Sequence, residues 1–168
     1  MILVAGLILR RLLAEPPANE NRPAAVLEDS EQLNLSAWLV VRRRQANPDE
    51  YAQALEQAEA ALRAAPDNGN ILNTLGVAQY RMGRYAQALE TLTKSEKLNA
   101  TESGSHPDDL AFLAMARHRL GRKDEAQETL NRLREVMRNM RWLRDVDAPR
   151  FLREAEETLQ EKSASETK

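Results

Sequence analysis

Two small residues twelve positions apart, Gly76 and Ala88, constrain this chain more than any other feature. In the stretch NILNTLGVAQYRMGRYAQALETLTKSEKL, from Asn70 to Leu98, residues Leu72, Leu75, Gly76 and Gln79 share one face of a helix. Tyr85, Ala88, Leu89 and Leu92 share one face of a second, with Gly83 between the two. Small residues at matched points let two backbones nest. A side chain longer than a methyl at either point would hold the pair apart, a misfit that typically costs about 1–3 kcal/mol.

The pattern recurs. Leu110, Leu113, Ala114, Arg117 and Gly121 repeat Leu72, Leu75, Gly76, Gln79 and Gly83, while Ala126 and Leu130 repeat Ala88 and Leu92. Upstream, Asn47-Pro48-Asp49-Glu50 joins a capping residue, a proline at the first helical position and two acids, so a helix starts there. Its stripe is Tyr51, Ala54, Leu55, Ala58, Ala61, Leu62 and Ala65, and it stops at Pro66. Before it, Asp29 and Ser30 are expected to cap a helix reaching about Arg44, with Leu33, Ala37, Val40 and Val41 inward. Asp67 and Asn68 are expected to cap the helix that Gly83 ends.

This spacing is similar to that of the tetratricopeptide (TPR) repeat, in which each helix pair needs neighbours to bury its exposed side. The expected fold is all-α, a TPR-like α-solenoid of three antiparallel helix pairs plus a C-terminal capping helix. The repeats are placed at residues 31–66, 69–102 and 107–140, with ATESGS (Ala100 to Ser105) as a flexible polar insertion. The third unit's second helix is expected to continue through Leu133, Met137 and Met140 towards Leu143. The capping helix, at residues 147–161, starts after Asp145 and Asp147 and carries the stripe Phe151, Leu152, Ala155 and Leu159. Residues 1–28 read as an apolar helix and a Pro-rich linker, and residues 162–168 as a disordered tail.

Composition narrows the chemistry. With no cysteine, disulfides, thiolate catalysis and thiolate metal sites are all excluded. A net charge of −2 offers no global field for nucleic acid, so no nucleic-acid partner is expected. The opening run MILVAGLIL is too short to span a bilayer, and Arg10 and Arg11 follow it rather than precede it as in a secretory signal. No membrane partner is expected, the chain is placed in the cytoplasm, and the run reads as a helix, the end of an upstream repeat, with self-association through it as the alternative. His106 and His118 are far apart in sequence and no metal-ligand spacing occurs, so the expectation is no enzyme, no catalytic residue, no metal and no cofactor.

The strings LNTLGVAQYR followed by GRY, DLAFLAMARHRLG, APDNG and FLREAEETL resemble the TPR region at the C-terminal end of large bacterial multidomain proteins, many with a serine/threonine kinase domain or WD40 repeats upstream. The resemblance covers about residues 30–160 and implies a scaffold. It implies no activity here, since the kinase's glycine-rich loop, lysine motif, HRD and DFG are absent. TPR modules that grip chaperone carboxylates use lysines and asparagines on their first helices. Asn73 is present, but Glu31, Asp108 and Phe112 stand at the cationic positions, so that specificity is not expected.

Stacked helix pairs curve so that their first helices line a concave groove. The inward positions are Asn34, Trp38, Val41 and Arg42; Asn73, Val77, Tyr80 and Arg81; and Ala111, Met115, His118 and Arg119. A protein or peptide partner, extended or helical, with an apolar anchor and an acidic residue would complement this mixture. The alternative packs Trp38 and Tyr80 against the adjoining repeat, in a purely structural or self-associating module stacked on an upstream domain. A second, basic surface holds Arg132, Arg134, Arg138, Arg141 and Arg144 among Met137, Met140 and Trp142. There the Met and Trp side chains are expected beneath the cap helix, with the arginines paired to Glu154, Glu156 and Glu157.

Overall fold

The computed structural model describes residues 24–101 and 104–161, all of whose regular elements are helices. In chain order these are α1 (Ala24–Val41), α2 (Pro48–Ala64), α3 (Gly69–Arg81), α4 (Tyr85–Asn99), α5 (Pro107–Arg119), α6 (Lys123–Val136), α7 (Met140–Leu143) and α8 (Ala148–Gln160). Residues 1–23 of the expected N-terminal helix and linker and the C-terminal tail lie outside the described residues, whereas residues 24–28, expected as linker, open α1.

Helix starts follow the local chemistry. The Asn47 side chain accepts from the Asp49 N–H at 3.0 Å, while Glu50 reaches back to accept from the Asn47 N–H at 2.9 Å, closing a capping box before α2. Asn68, not Asp67, caps α3, accepting from the Asn70 and Ile71 N–H groups. Gly83 and Gly121 occupy equivalent turns with φ of +73° and +78°, a region that L side chains rarely adopt.

Two local expectations are corrected. Helix α1 runs from Ala24, so Ser30 lies inside it rather than at its cap, and its hydroxyl donates to the Leu27 carbonyl at 2.7 Å. Helix α6 stops at Val136 instead of reaching Leu143, because Asn139 caps the short α7 by accepting from the Arg141 N–H. The insertion after α4 has closed ends, since Thr101 and Gly104 exchange backbone hydrogen bonds at 3.1 and 2.9 Å.

The helices pair as α1 with α2, α3 with α4 and α5 with α6, and the first helices α1, α3 and α5 adjoin in sequence. One core runs through all three pairs, from Ala37 and Val41 through Leu75 and Leu92 to Leu110, Leu113 and Leu133. The contact between α3 and α4 is tighter than the sequence pattern requires. A Cβ on Gly76 would lie 2.5 Å from Leu92 Cγ and 2.7 Å from Leu92 Cδ2, so even a methyl collides with a fully buried branch point. Gly76→Ala gains about 1 kcal/mol of helix propensity but meets an overpacking cost of about 1–3 kcal/mol. Chemical denaturation is expected to show a net loss of stability. A stabilised variant would mean that Leu92 yields freely.

Candidate interaction face

Helix α8 does not simply cover the end of the last repeat. It packs mainly on α5, with further contacts to α6 and α7, and its side chains reach back to α1 and α3. The concave side read from sequence as a binding groove therefore holds a helix of the same chain.

The contacts form a ladder along one face of α8 at alternating spacings of four and three residues, the period of one helical face. Asp147, just before α8, pairs with Arg42 at 3.0 Å. The Phe151 ring stands edge-to-face with Trp38, centroids 5.8 Å apart, and with Phe112 at 5.1 Å. Glu154 forms a two-pronged pair with Arg81, whose Nη1 meets Oε1 and whose Nη2 donates to Oε2 at 3.0 Å. The Thr158 hydroxyl donates to the Met115 sulfur at 3.5 Å, and Glu161 accepts from Arg119 at 2.8 Å. Off this face, Arg44 pairs with Glu157 and Arg134 with Glu156.

The Arg81–Glu154 pair is the best enclosed, with side chains 5% and 9% exposed. Arg81 is fixed from two further sides: its Nε donates to the Val41 carbonyl at 3.0 Å and its guanidinium carbon lies 5.0 Å from the centre of the Phe112 ring. A planar fork held this way accepts a carboxylate in one orientation.

Of the inward positions, Trp38, Arg42, Arg81, Met115 and Arg119 all engage the ladder. Val41, Val77, Ala111 and Met115 are fully buried, and Tyr80 is buried between Phe112 and Tyr85 at centroid distances of 5.4 and 5.3 Å. Burial raises the Tyr80 phenol's pKa, opposed by its hydrogen bond with Arg119. His118 is half-buried and joins none of these pairs. On the basic surface, Met137 and Trp142 are buried as expected, but Met140 is 59% exposed. Among the three glutamates expected to meet that surface's arginines, only Glu156 does so, through Arg134; Glu154 and Glu157 turn to Arg81 and Arg44.

Beside the ladder the first helices enclose a polar pocket of about 230 Å³, which Asn34, Trp38, Asn73, His106 and Asp108 help to line. Below it Asp109 is fully buried and accepts from the side-chain amides of Asn73 at 2.8 Å and Asn99 at 3.2 Å. Burial raises the Asp109 carboxyl's pKa, and these donors oppose the rise. Asp108 lacks such donors. Burial first, then the nearby Asp145, Asp109 and Asp147, push its pKa up to about 8. In the sequence Asp108 stands where carboxylate-gripping TPR modules carry a cation, while nothing in the local pattern marks Asp109 as buried. Asp145 performs a capping role at α8, accepting from the Asp147 and Ala148 N–H groups.

Two tetratricopeptide repeat family models match the chain, one over residues 48–103 and one over residues 113–136. No curated protein sequence matches it. Among solved structures, the first TPR domain of human RPAP3, determined by NMR, superposes with a TM-score of 0.58 at 19% identity, covering 79% of this chain and 94% of that one. The first TPR of Spaghetti (RPAP3) bound to the HSP90 peptide SRMEEVD gives 0.56 at 19% identity, covering 80% and 95%. At that identity the likeness concerns the fold. With the repeat matches, it establishes that the chain carries tetratricopeptide repeats stacked as a TPR-like α-solenoid.

Proposed function

We propose that the protein is a non-catalytic protein-interaction module whose concave face binds a partner helix or peptide bearing an aromatic anchor and acidic residues. The observation that carries this reading is the ladder itself: α8 offers Phe151 to Trp38 and Glu154 to Arg81, the chemistry that the inward residues call for. In this reading α8 is the resident occupant and an external helix with a matching face competes for its seat. The neighbour that binds an HSP90 peptide supports peptide recognition as a use of this fold. The sequence strings support placing the module in a larger multidomain bacterial protein of the cytoplasm. Leu35 and Leu39, exposed on α1, favour a second role in stacking against an upstream domain.

An exchange experiment tests the groove assignment. A protease site placed at Val146, which is 70% exposed, allows α8 to be cut from the folded protein without removing it. A fluorescent peptide of residues 147–161 is then expected to replace the nicked helix saturably, and the same peptide carrying Phe151→Ala and Glu154→Ala is not. Equal competition by the two peptides, or collapse of the repeats on nicking without rescue by added peptide, would remove the groove from the account.

A further inference from the structure

The polar pocket has an imbalance that the ladder does not use. Two of its four asparagine amides are committed inward: Asn73 and Asn99 both donate to Asp109. Two buried acceptors at the pocket, Asp108 Oδ1 and Asn34 Oδ1, have no hydrogen-bond partner among the described residues. Asp108 is only 9% exposed; its other oxygen stands 3.5 Å from His106 Nδ1. Buried acceptors without donors are costly, and the pocket's surroundings are acidic, with Asp109, Asp145 and Asp147 near Asp108 against Arg42 as the opposing charge. The missing complement is a cationic group rich in N–H donors, beside an aromatic wall formed by Trp38.

We infer that this pocket receives an arginine side chain presented by a protein partner, its guanidinium donating to Asp108 Oδ1 and Asn34 Oδ1 alongside Trp38. Arginine fits better than lysine, because one planar fork reaches two separated acceptors and stacks on an indole, whereas an ammonium is a compact, strongly hydrated point charge. The inference deepens the interaction reading and rests on this face being a binding surface. It does not require α8 to move, since no α8 residue lines the pocket.

Binding has a definite pH signature. In the empty pocket the Asp108 carboxyl holds its proton up to about pH 8, so an incoming guanidinium displaces that proton. Affinity therefore rises with pH towards about 8 and levels off above it. Burial lowers the pKa of the neighbouring His106, opposed by Asp109 and Asp145 and reinforced by Arg141. The experiment titrates the full chain with N-acetyl-arginine amide and with its neutral isostere N-acetyl-citrulline amide, followed by NMR. The arginine probe is expected to shift the Trp38 indole, Asn34 and His106 saturably and to bind at least about 10-fold more tightly than citrulline. Asp108→Asn is expected to erase that preference, and Asn34→Ala to weaken arginine several-fold while leaving the pH dependence in place. Equal binding of the two probes, shifts confined to other surfaces, or a pH-independent affinity would overturn the inference. None of these readouts depends on exchange of α8, so the pocket and the groove can fail separately.

Discussion

Replacing Glu154 with alanine is expected to lower the unfolding free energy by about 3–5 kcal/mol, because it leaves the Arg81 guanidinium buried without its carboxylate. The remaining partners, the Val41 carbonyl and the Phe112 ring, do not neutralise the charge. A double variant, Arg81→Met with Glu154→Leu, is expected to regain most of the loss, since two apolar side chains avoid the desolvation that the ion pair must overcome. It still forfeits the hydrogen bond to Val41, a term of about 1 kcal/mol. Urea denaturation of both variants measures the effect. A loss of less than about 1 kcal/mol for Glu154→Ala would mean that Arg81 swings out to solvent and that this pair does not hold α8.

Phe112→Ala is expected to cost a similar amount, about 3–5 kcal/mol, for a different reason. Its fully buried ring stands edge-to-face with Tyr80 on one side and Phe151 on the other, and Arg81 lies over its face, so one side chain joins α3, α5 and α8. Truncation opens a cavity among neighbours fixed on two other helices, which limits how far the site can collapse. Phe112→Leu, which keeps most of the volume, is expected to lose much less in thermal denaturation. Similar losses for the two variants would show that the aromatic contacts themselves, rather than filled volume, make the difference.

The repeat architecture was legible because its determinants are local and recur. Asn47-Pro48 announces a helix within four residues, and Gly76 marks a close approach of α3 to α4, which falls against Leu92. Of the positions read as inward on α1, α3 and α5, Trp38, Arg42, Arg81, Met115 and Arg119 meet α8, while Val41, Val77 and Ala111 are fully buried. The role of Ser30 was not legible, because a hydroxyl can cap a helix or bond back to a carbonyl within one, and sequence alone does not choose. The seat of α8 was hidden more deeply. Periodicity picks out Phe151, Leu152, Ala155 and Leu159, yet the buried set includes Glu154 and Thr158, while Leu152 and Leu159 are only partly covered. Glu154 can be buried because Arg81 awaits it from 73 residues away, and a stripe of apolar letters carries no record of such a pairing. The burial of Asp108 was hidden likewise: its position on the first helix was legible, but its enclosure arises from packing around the start of α5, which no local spacing records.

The proposed groove depends on α8 lying with Phe151 and Glu154 against Trp38 and Arg81 of the first helices. Nuclear Overhauser contacts test it most directly, in the full chain at low protein concentration. Cross-peaks are expected between the ring protons of Trp38 and Phe151, and between the methyl groups of Met115 and Thr158, arising within one molecule. Absence of both sets, with the contacts among Tyr80, Phe112 and Tyr85 still present, would show an intact solenoid whose groove stands empty and would contradict the account.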